Sequence, residues 1–166
     1  MFDLLIKNTH IVDGSGNAAY IGSVAVKDGK IRLLPADTAE EAAHVIDGTG
    51  LYTTPGFIDA HSHGDIALGR EFSSISKISQ GITTQVTGMC GFSLFPVTEQ
   101  YWELWRENCG LFLSQNDFPK EMPTFTSAEN FFSYAEKQSF PENIRVLLGL
   151  GAVHCAIMGD ENREPT

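Results

Sequence analysis

The fold is decided by one short stretch of the chain, PGFIDAHSH at residues 55–63. Its middle is apolar and its end is polar, which is typical of a buried strand that finishes at a site. Asp59, His61 and His63 are spaced by two, and side chains alternate along a strand, so all three are predicted to emerge on one face. Two neutral imidazoles on one face can chelate a borderline metal such as zinc. The same pair is also compatible with an ordinary polar boundary between a strand and a loop.

The residues after this stretch alternate between strands and helices. Helices are predicted over 72–80, 101–113 and 131–138, and strands over 82–87 and 144–150. Ser127 is predicted to lie at the N-cap that leads into the last of these helices. Apolar strands that alternate with helices indicate a parallel sheet covered on both faces. If the sheet belongs to a barrel, the histidines lie at its carboxyl-terminal mouth, where (β/α)8 enzymes carry their catalytic residues.

Residues 1–54 are predicted to form a small β-sandwich or sheet. β-prone runs cover 3–13, 23–27, 30–34 and 44–47, and residues 40–43 are predicted to form a helical turn. The Asp28-Gly29 pair is a strong hairpin signal, because both central positions of a type I′ turn need a positive φ. This segment carries no candidate catalytic cluster.

Composition and charge exclude several classes of protein. Hydrophobic residues make up 42% and charged residues 19% of the chain, an ordinary globular mixture. The net charge of -10 argues against nucleic acid or an anionic membrane as a partner. No stretch has the apolar length of a membrane span, and the first residues lack the pattern of a signal peptide. The three cysteines do not form a disulfide framework, so we expect reduced thiols in a cytoplasmic protein.

The stretch at 55–63 resembles the first barrel strand of the amidohydrolase superfamily, whose signature is PGFID-x-H-x-H. The β-prone runs before it are similar to the N-terminal β-sandwich of that superfamily, and the resemblance continues to about residue 95. The resemblance implies an α/β fold with a β-sandwich segment over 1–54. It further implies a partial barrel over 55–166, with about the first three units of a (β/α)8 barrel of the TIM type. His61 and His63 are implied to be metal ligands.

A second motif, ISQGITTQVTGMCGFS at residues 78–93, narrows the family. It resembles the second barrel strand of the N-acyl-D-amino-acid deacylases, also called D-aminoacylases. In that family a cysteine at the end of this strand binds the metal, which implies that Cys90 is a ligand. A thiolate is a strong zinc ligand, although a free cysteine is more commonly a small buried residue. Cys109 and Cys155 have no such context and are predicted to be core residues.

Two positions depart from the family pattern. Met89 stands where the family usually carries asparagine, so the polar surroundings of the neighbouring cysteine are expected to differ. Leu150 stands where histidine is expected, and His154 is predicted to be an ordinary polar loop residue. His10 and His44 lie in the β-rich segment and are predicted to be structural or surface residues.

The resemblance implies hydrolysis of small-molecule N-acyl-D-amino acids to a D-amino acid and a carboxylate. One or two zinc ions, held partly by Cys90, would polarise the scissile carbonyl. An aspartate beyond residue 166 would act as general base and then as general acid, so no catalytic residue is expected in this chain. A (β/α)8 barrel takes about 250 residues, so we expect an N-terminal portion of a longer enzyme that is inactive alone.

Two alternatives stay open at this point. Cyclic-amide hydrolases such as dihydroorotase and hydantoinase, and related deaminases, belong to the same superfamily. Many of them use a carboxylated lysine on a later strand, and residues 87–91 favour the deacylase over them. The other alternative is a non-catalytic protein in which the truncated chain is only a folding or interaction module.

Overall fold

The structure is a computed structural model that describes residues 1–68, 75–111, 122–138 and 140–164. The chain divides into two compact units, Met1–Pro55 and Gly56–Thr166. Parts of two predicted helices, residues 72–74 and 112–113, lie outside the described residues. None of the helices in the described ranges has the length and apolar character that a bilayer crossing requires.

The first unit is built on a five-stranded sheet. Its strands are β1 (Phe2–Ile11), β2 (Tyr20–Lys27), β3 (Lys30–Leu34), β4 (Ala42–Asp47) and β5 (Tyr52–Thr53). The order is β3-β2-β1-β4, and β5 also pairs with β1. β1 is antiparallel to β2 and parallel to β4 and β5. Leu5 and Ala25 face each other across β1 and β2 and are fully buried, so they contribute to the apolar centre of this unit.

The hairpin between β2 and β3 forms at the predicted Asp-Gly pair. Asp28 and Gly29 have φ values of 50° and 70°, and Lys27 pairs with Lys30 across the turn. The Asp3 carboxylate accepts hydrogen bonds from the Asp28 backbone amide at 2.9 Å and from the Lys27 ammonium at 3.0 Å. These two hydrogen bonds hold the turn against β1 and lower the pKa of Asp3.

In the first unit one sequence prediction is wrong, a helical turn, and another is confirmed, the role of two histidines. The helical turn predicted over 40–43 is wrong, because Ala42 pairs with Phe2 and begins β4. Sheet pairing here outweighs the weak helical preference of the local sequence. His10 stacks on Tyr52 with ring centroids 4.9 Å apart, and His44 is exposed on β4, so both are structural or surface residues as predicted.

The second unit is a three-stranded parallel sheet with helices between and after its strands. The strands β6 (Phe57–Asp59), β7 (Ile82–Thr87) and β8 (Asn143–Val146) lie in the order β6-β7-β8. The helices are α1 (Ile75–Ile78), α2 (Trp102–Cys109), α3 (Ala128–Ala135) and α4 (Leu150–Met158). Parallel strands that alternate with helices confirm the predicted α/β class.

The core of the second unit is rich in aromatic residues. Phe125 and Phe131 are almost fully buried and meet edge to face with ring centroids 5.4 Å apart. Cys109 and Cys155 belong to the same core, as predicted. The predicted N-cap at Ser127 is confirmed, because its hydroxyl accepts a hydrogen bond from the Asn130 amide. This is a standard N-cap interaction. Helix α3 itself begins at Ala128 and ends at Ala135, earlier at both ends than the predicted 131–138.

The strand predicted across 56–63 is shorter and less buried than expected. It ends at Asp59, and the side chains of Phe57 and Ile58 are 55% and 66% exposed. The physical reason is that β6 has a single neighbouring strand in the described sheet, namely β7. A strand at such an edge is not covered on all sides.

The strand predicted over 144–150 also ends early, at Val146. Leu150 instead begins helix α4 and is 78% exposed. His154 lies in this helix and is exposed, so its predicted placement in a loop is wrong. The run of small and apolar residues after Gly149 has enough helical preference to form α4 once the strand has ended.

Candidate metal centre

His61, His63 and Cys90 meet at one edge of the parallel sheet. Their ligand atoms all lie within 4.8 Å of one another, and the Nε2 atom of His61 is 3.2 Å from the Sγ atom of Cys90. The histidines follow β6 and the cysteine follows β7, and the carboxyl ends of parallel strands lie at the same edge of a sheet. Among the described residues this is the one cluster of three or more potential His, Cys, Asp or Glu ligands.

The two histidines lie in the loop after β6. The prediction that they alternate along a strand was wrong, since the strand ends at Asp59. The Asp59 carboxylate accepts a hydrogen bond from the His61 backbone amide at 3.2 Å, and a 3-10 turn, Gly64–Ala67, begins directly after His63. The imidazole centroids are 5.9 Å apart. The loop conformation, rather than the strand pleat, therefore brings the imidazoles together.

Cys90 adopts a left-handed backbone conformation that is rare for a residue with a side chain. Its φ and ψ are 57° and 18°, which costs roughly 1–2 kcal/mol relative to the right-handed region. The thiol is exposed, so Cys90 is not the small buried residue that a free cysteine commonly is. Strain of this kind is frequently found where a side chain has to be aimed at a site.

Ser93 anchors the segment that follows Cys90. Its buried hydroxyl donates a hydrogen bond to the Phe95 carbonyl and accepts one from the Gly149 amide at 3.0 Å. The indole N–H of Trp105 donates to the Ser93 carbonyl at 3.0 Å. The loop after β7 is thereby tied to the loop after β8 and to helix α2.

Burial and nearby positive charges favour a neutral imidazole at His63. Burial lowers the pKa of His63, and the nearby His61 and Lys77 charges lower it further. The Lys77 ammonium donates to the Asp59 carboxylate at 2.5 Å, and this hydrogen bond holds the pKa of Asp59 below its ordinary value. A neutral imidazole has the free lone pair that a metal needs.

Asp65 is a fully buried acid next to the metal-ligand loop. Burial raises its pKa to about 7, while nearby backbone amides and the Thr87 hydroxyl act in the opposite direction. Burial, with the charge of Asp65 as a second cause, also raises the pKa of the Cys109 thiol to about 12.

A buried polar network was missed by the sequence analysis. Ser62, the serine between the two histidines, is hydrogen-bonded to Lys77 of α1 and to Gln85 of β7. Gln85 is in turn hydrogen-bonded to Glu142, the residue before β8. The available signal was Gln85, a polar side chain on the buried face of a strand that otherwise carries threonine and aliphatic residues.

Two curated deacylases are similar to this chain in sequence. No family model matches the chain. The N-acyl-D-aspartate deacylase of Alcaligenes xylosoxydans xylosoxydans is 32% identical over 164 residues, which is 99% of this chain and 31% of that protein. The D-aminoacylase of the same organism is 42% identical over 97 residues, or 58% of this chain and 20% of that protein.

Solved structures of deacylases match this chain over almost its whole length. The crystal structure of N-acyl-D-glutamate deacylase from Bordetella bronchiseptica, complexed with zinc and a phosphonate inhibitor, matches with a TM-score of 0.80 and 30% identity. The match covers 99% of this chain and 33% of that one. A D-aminoacylase structure with a binuclear metal centre matches with a TM-score of 0.81 and 27% identity, over 100% of this chain and 33% of that one.

These structures are amidohydrolases, and this chain has the fold of their N-terminal region. Two of the relatives that match 99% of its length are N-acyl-D-aspartate deacylase and N-acyl-D-glutamate deacylase. The chain is homologous to part of the N-acyl-D-amino-acid deacylases, and it spans about a third of the length of the two deacylases that it matches over 99% of its own residues.

Proposed function

We propose that the full-length protein containing this chain hydrolyses N-acyl-D-amino acids to a D-amino acid and a carboxylate. The observation that carries the proposal is the convergence of His61, His63 and Cys90 on one point. The names of two relatives support it, N-acyl-D-aspartate deacylase and N-acyl-D-glutamate deacylase.

The donor set fits zinc. Two imidazoles and one thiol are ligands that zinc prefers. Their ligand atoms all lie within 4.8 Å of one another, so side-chain shifts of about 1 Å would bring all three to the bond lengths of zinc. When bound, the ion polarises the scissile carbonyl and makes the attacking water more acidic. We propose one or two ions, because relatives were crystallised with zinc and with a binuclear metal centre.

The residues of this chain prepare the site for that ion. Asp59, kept ionised by Lys77, holds the backbone of His61. Burial keeps the His63 imidazole neutral by lowering its pKa, and the backbone of Cys90 presents an exposed thiol. The general base and general acid, an aspartate by family resemblance, belongs to the part of the enzyme outside this chain.

The architecture of the whole enzyme is part of the proposal. We propose that residues 1–54 belong to a β-sandwich and that residues 55–166 form about the first three units of a (β/α)8 barrel. The edge positions of β6 and β8, and the exposed apolar side chains of β6, support this assignment. A small-molecule substrate, a cytoplasmic location and no binding of nucleic acid or membrane stay predictions from sequence.

Substrate turnover by the full-length enzyme tests the proposal. We expect release of the D-amino acid from N-acyl-D-amino acids, with no turnover of hydantoins or dihydroorotate. His63→Ala should lower kcat/KM about 100-fold or more by removing a ligand. His44→Ala, which changes an exposed histidine of β4, is the matched control and should stay within about twofold of wild type. Turnover of hydantoin without turnover of any N-acyl-D-amino acid would overturn the proposal.

A further inference from the structure

We propose that Gln85 is a positioning residue for His63, because its side chain fixes the residues on both sides of that histidine. Gln85 lies on β7 and is 1% exposed. Its amide oxygen accepts a hydrogen bond from the Ser62 hydroxyl at 2.6 Å. The same amide packs against Gly64 on the other side of His63. The inference rests on the proposed function, since His63 matters most as a metal ligand.

The hydrogen bonds of Ser62 define the orientation of the Gln85 amide. The Ser62 hydroxyl accepts from the Lys77 ammonium at 2.5 Å and from the Gly64 backbone amide at 3.1 Å. A serine hydroxyl has two acceptor positions and one proton to donate. Both acceptor positions are therefore occupied, and the proton points to Gln85. Since this proton needs an acceptor, the oxygen of the Gln85 amide faces Ser62 and its nitrogen faces away.

The nitrogen end of Gln85 meets a matching acceptor. It donates to the Glu142 carboxylate at 2.5 Å, and Glu142 is 7% exposed. A buried hydrogen bond with a charged acceptor is stronger than one between neutral groups. Glu142, next to the first residue of β8, thereby prevents the Gln85 amide from rotating. One buried chain of hydrogen bonds runs from Glu142, the residue before β8, through Gln85 of β7 to the loop that carries both histidines.

The contact with Gly64 shows how closely Gln85 fits this loop. A Cβ atom added at Gly64 would lie 2.2 Å from the Gln85 amide oxygen, far inside van der Waals contact. Only glycine lets the backbone approach the amide in this way. Ser62 is thus fixed by a hydrogen bond and Gly64 by steric contact, so the backbone of His63 between them has little freedom. Groups that orient a metal ligand from behind typically change metal affinity 10- to 100-fold when removed.

Three variants of the 166-residue chain and one control test this role. Gln85→Met removes both hydrogen bonds at similar volume, and Gln85→Glu places a second carboxylate against Glu142. The double variant Gln85→Glu with Glu142→Gln exchanges the two groups, so Ser62 keeps an acceptor and the pair keeps a hydrogen bond. Gln80→Met is the matched control, because Gln80 is exposed and its hydrogen bond goes to the Ser76 carbonyl.

Two measurements are made at a temperature where circular dichroism shows every variant folded. The first is amide hydrogen exchange at Gly64, which needs no metal, and the second is the dissociation constant for Co²⁺. We expect Gln85→Met and Gln85→Glu to speed exchange and weaken Co²⁺ binding about tenfold or more. In the double variant, the Gly64 exchange rate and the Co²⁺ dissociation constant should both return to within about threefold of wild type. Gln80→Met should match wild type in both measurements.

The outcomes separate this inference from the proposed function. If Gln85→Met leaves Gly64 exchange and Co²⁺ affinity unchanged, or if the folded double variant shows no recovery, Gln85 is not a positioning residue. A variant that only lowers the unfolding temperature would also contradict the inference, because it would show a merely structural role. If wild type binds no Co²⁺ but Gly64 exchange follows Gln85 as expected, the fixing of the loop stands and the proposed metal site fails.

Discussion

The Nε2 atom of His61 lies 3.2 Å from the Sγ atom of Cys90, although 29 positions separate them in the sequence. The two residues belong to loops that follow neighbouring parallel strands, and Asp59 pairs with Gln85 where those strands meet. The distance between the two ligand atoms therefore depends on the register of β6 against β7. Metal binding at such a site stabilises the strand pairing that creates it.

Exposure of the three thiols predicts their chemical reactivity. In the folded 166-residue chain we expect Cys90 alone to react quickly with Ellman's reagent, because Cys109 and Cys155 are buried and burial raises the pKa of both. Only a thiolate attacks the reagent. Zinc added first should slow the Cys90 reaction. Fast reaction of three thiols in the folded chain would contradict the described core, and Cys90→Ala should abolish the fast phase.

The histidines show what the sequence could and could not predict. The spacing of His61 and His63 was sufficient to select them as a pair, and the motif around Cys90 added the third candidate. The reason given for the pair, alternation along a strand, was wrong because β6 ends at Asp59. Strand length depends on sheet neighbours, and β6 has one such neighbour in the described sheet.

The polar network beneath the site shows a second limit of sequence analysis. Gln85 and Glu142 are 57 positions apart, and no local pattern connects them. Their hydrogen bond exists because β7 and β8 are paired, which is a property of the tertiary structure. Local signals were more successful, as with the Asp28-Gly29 hairpin and the Ser127 N-cap, because their partners lie within a few residues.

The Cys109 thiol predicts a loss of stability at alkaline pH. Its pKa is raised from 9.0 to about 12 in the folded chain, mainly by burial. Between these values the unfolded chain releases a proton that the folded chain keeps, so the free energy of unfolding falls as pH rises. The slope approaches about 1.4 kcal/mol per pH unit for one group. Urea unfolding at pH 8 and pH 10 measures it.

One cysteine variant isolates this contribution. Cys109→Ala should reduce the drop in unfolding free energy between pH 8 and pH 10 by about 1 kcal/mol. Gln80→Met changes an exposed side chain that carries no titratable group and serves as the control, with the drop expected to equal that of wild type. An unchanged drop in Cys109→Ala would show that this thiol is not held protonated by the fold.

Two glycines with similar positive φ values are predicted to differ in the cost of substitution by alanine. Gly88 and Gly14 have φ values of 76° and 80°, so both variants to alanine bear the strain of positive φ, about 1 kcal/mol. A Cβ at Gly88 would lie 2.0 Å from the Leu147 carbonyl oxygen, whereas the space around Gly14 is open within 4 Å. Gly88→Ala should cost about 3 kcal/mol or more, and Gly14→Ala about 1 kcal/mol. Equal costs in urea unfolding would contradict the close approach of the two loops.

The central claim is that His61, His63 and Cys90 bind one metal ion together. Its most direct test is Co²⁺ titration of the 166-residue chain, followed by the thiolate-to-cobalt charge-transfer absorption. We expect one equivalent to produce this band, Cys90→Ser to abolish it, and His63→Ala to weaken binding about tenfold or more, while His44→Ala leaves the titration unchanged. Absence of a charge-transfer band in folded wild type, or a band that persists in Cys90→Ser, would contradict the claim.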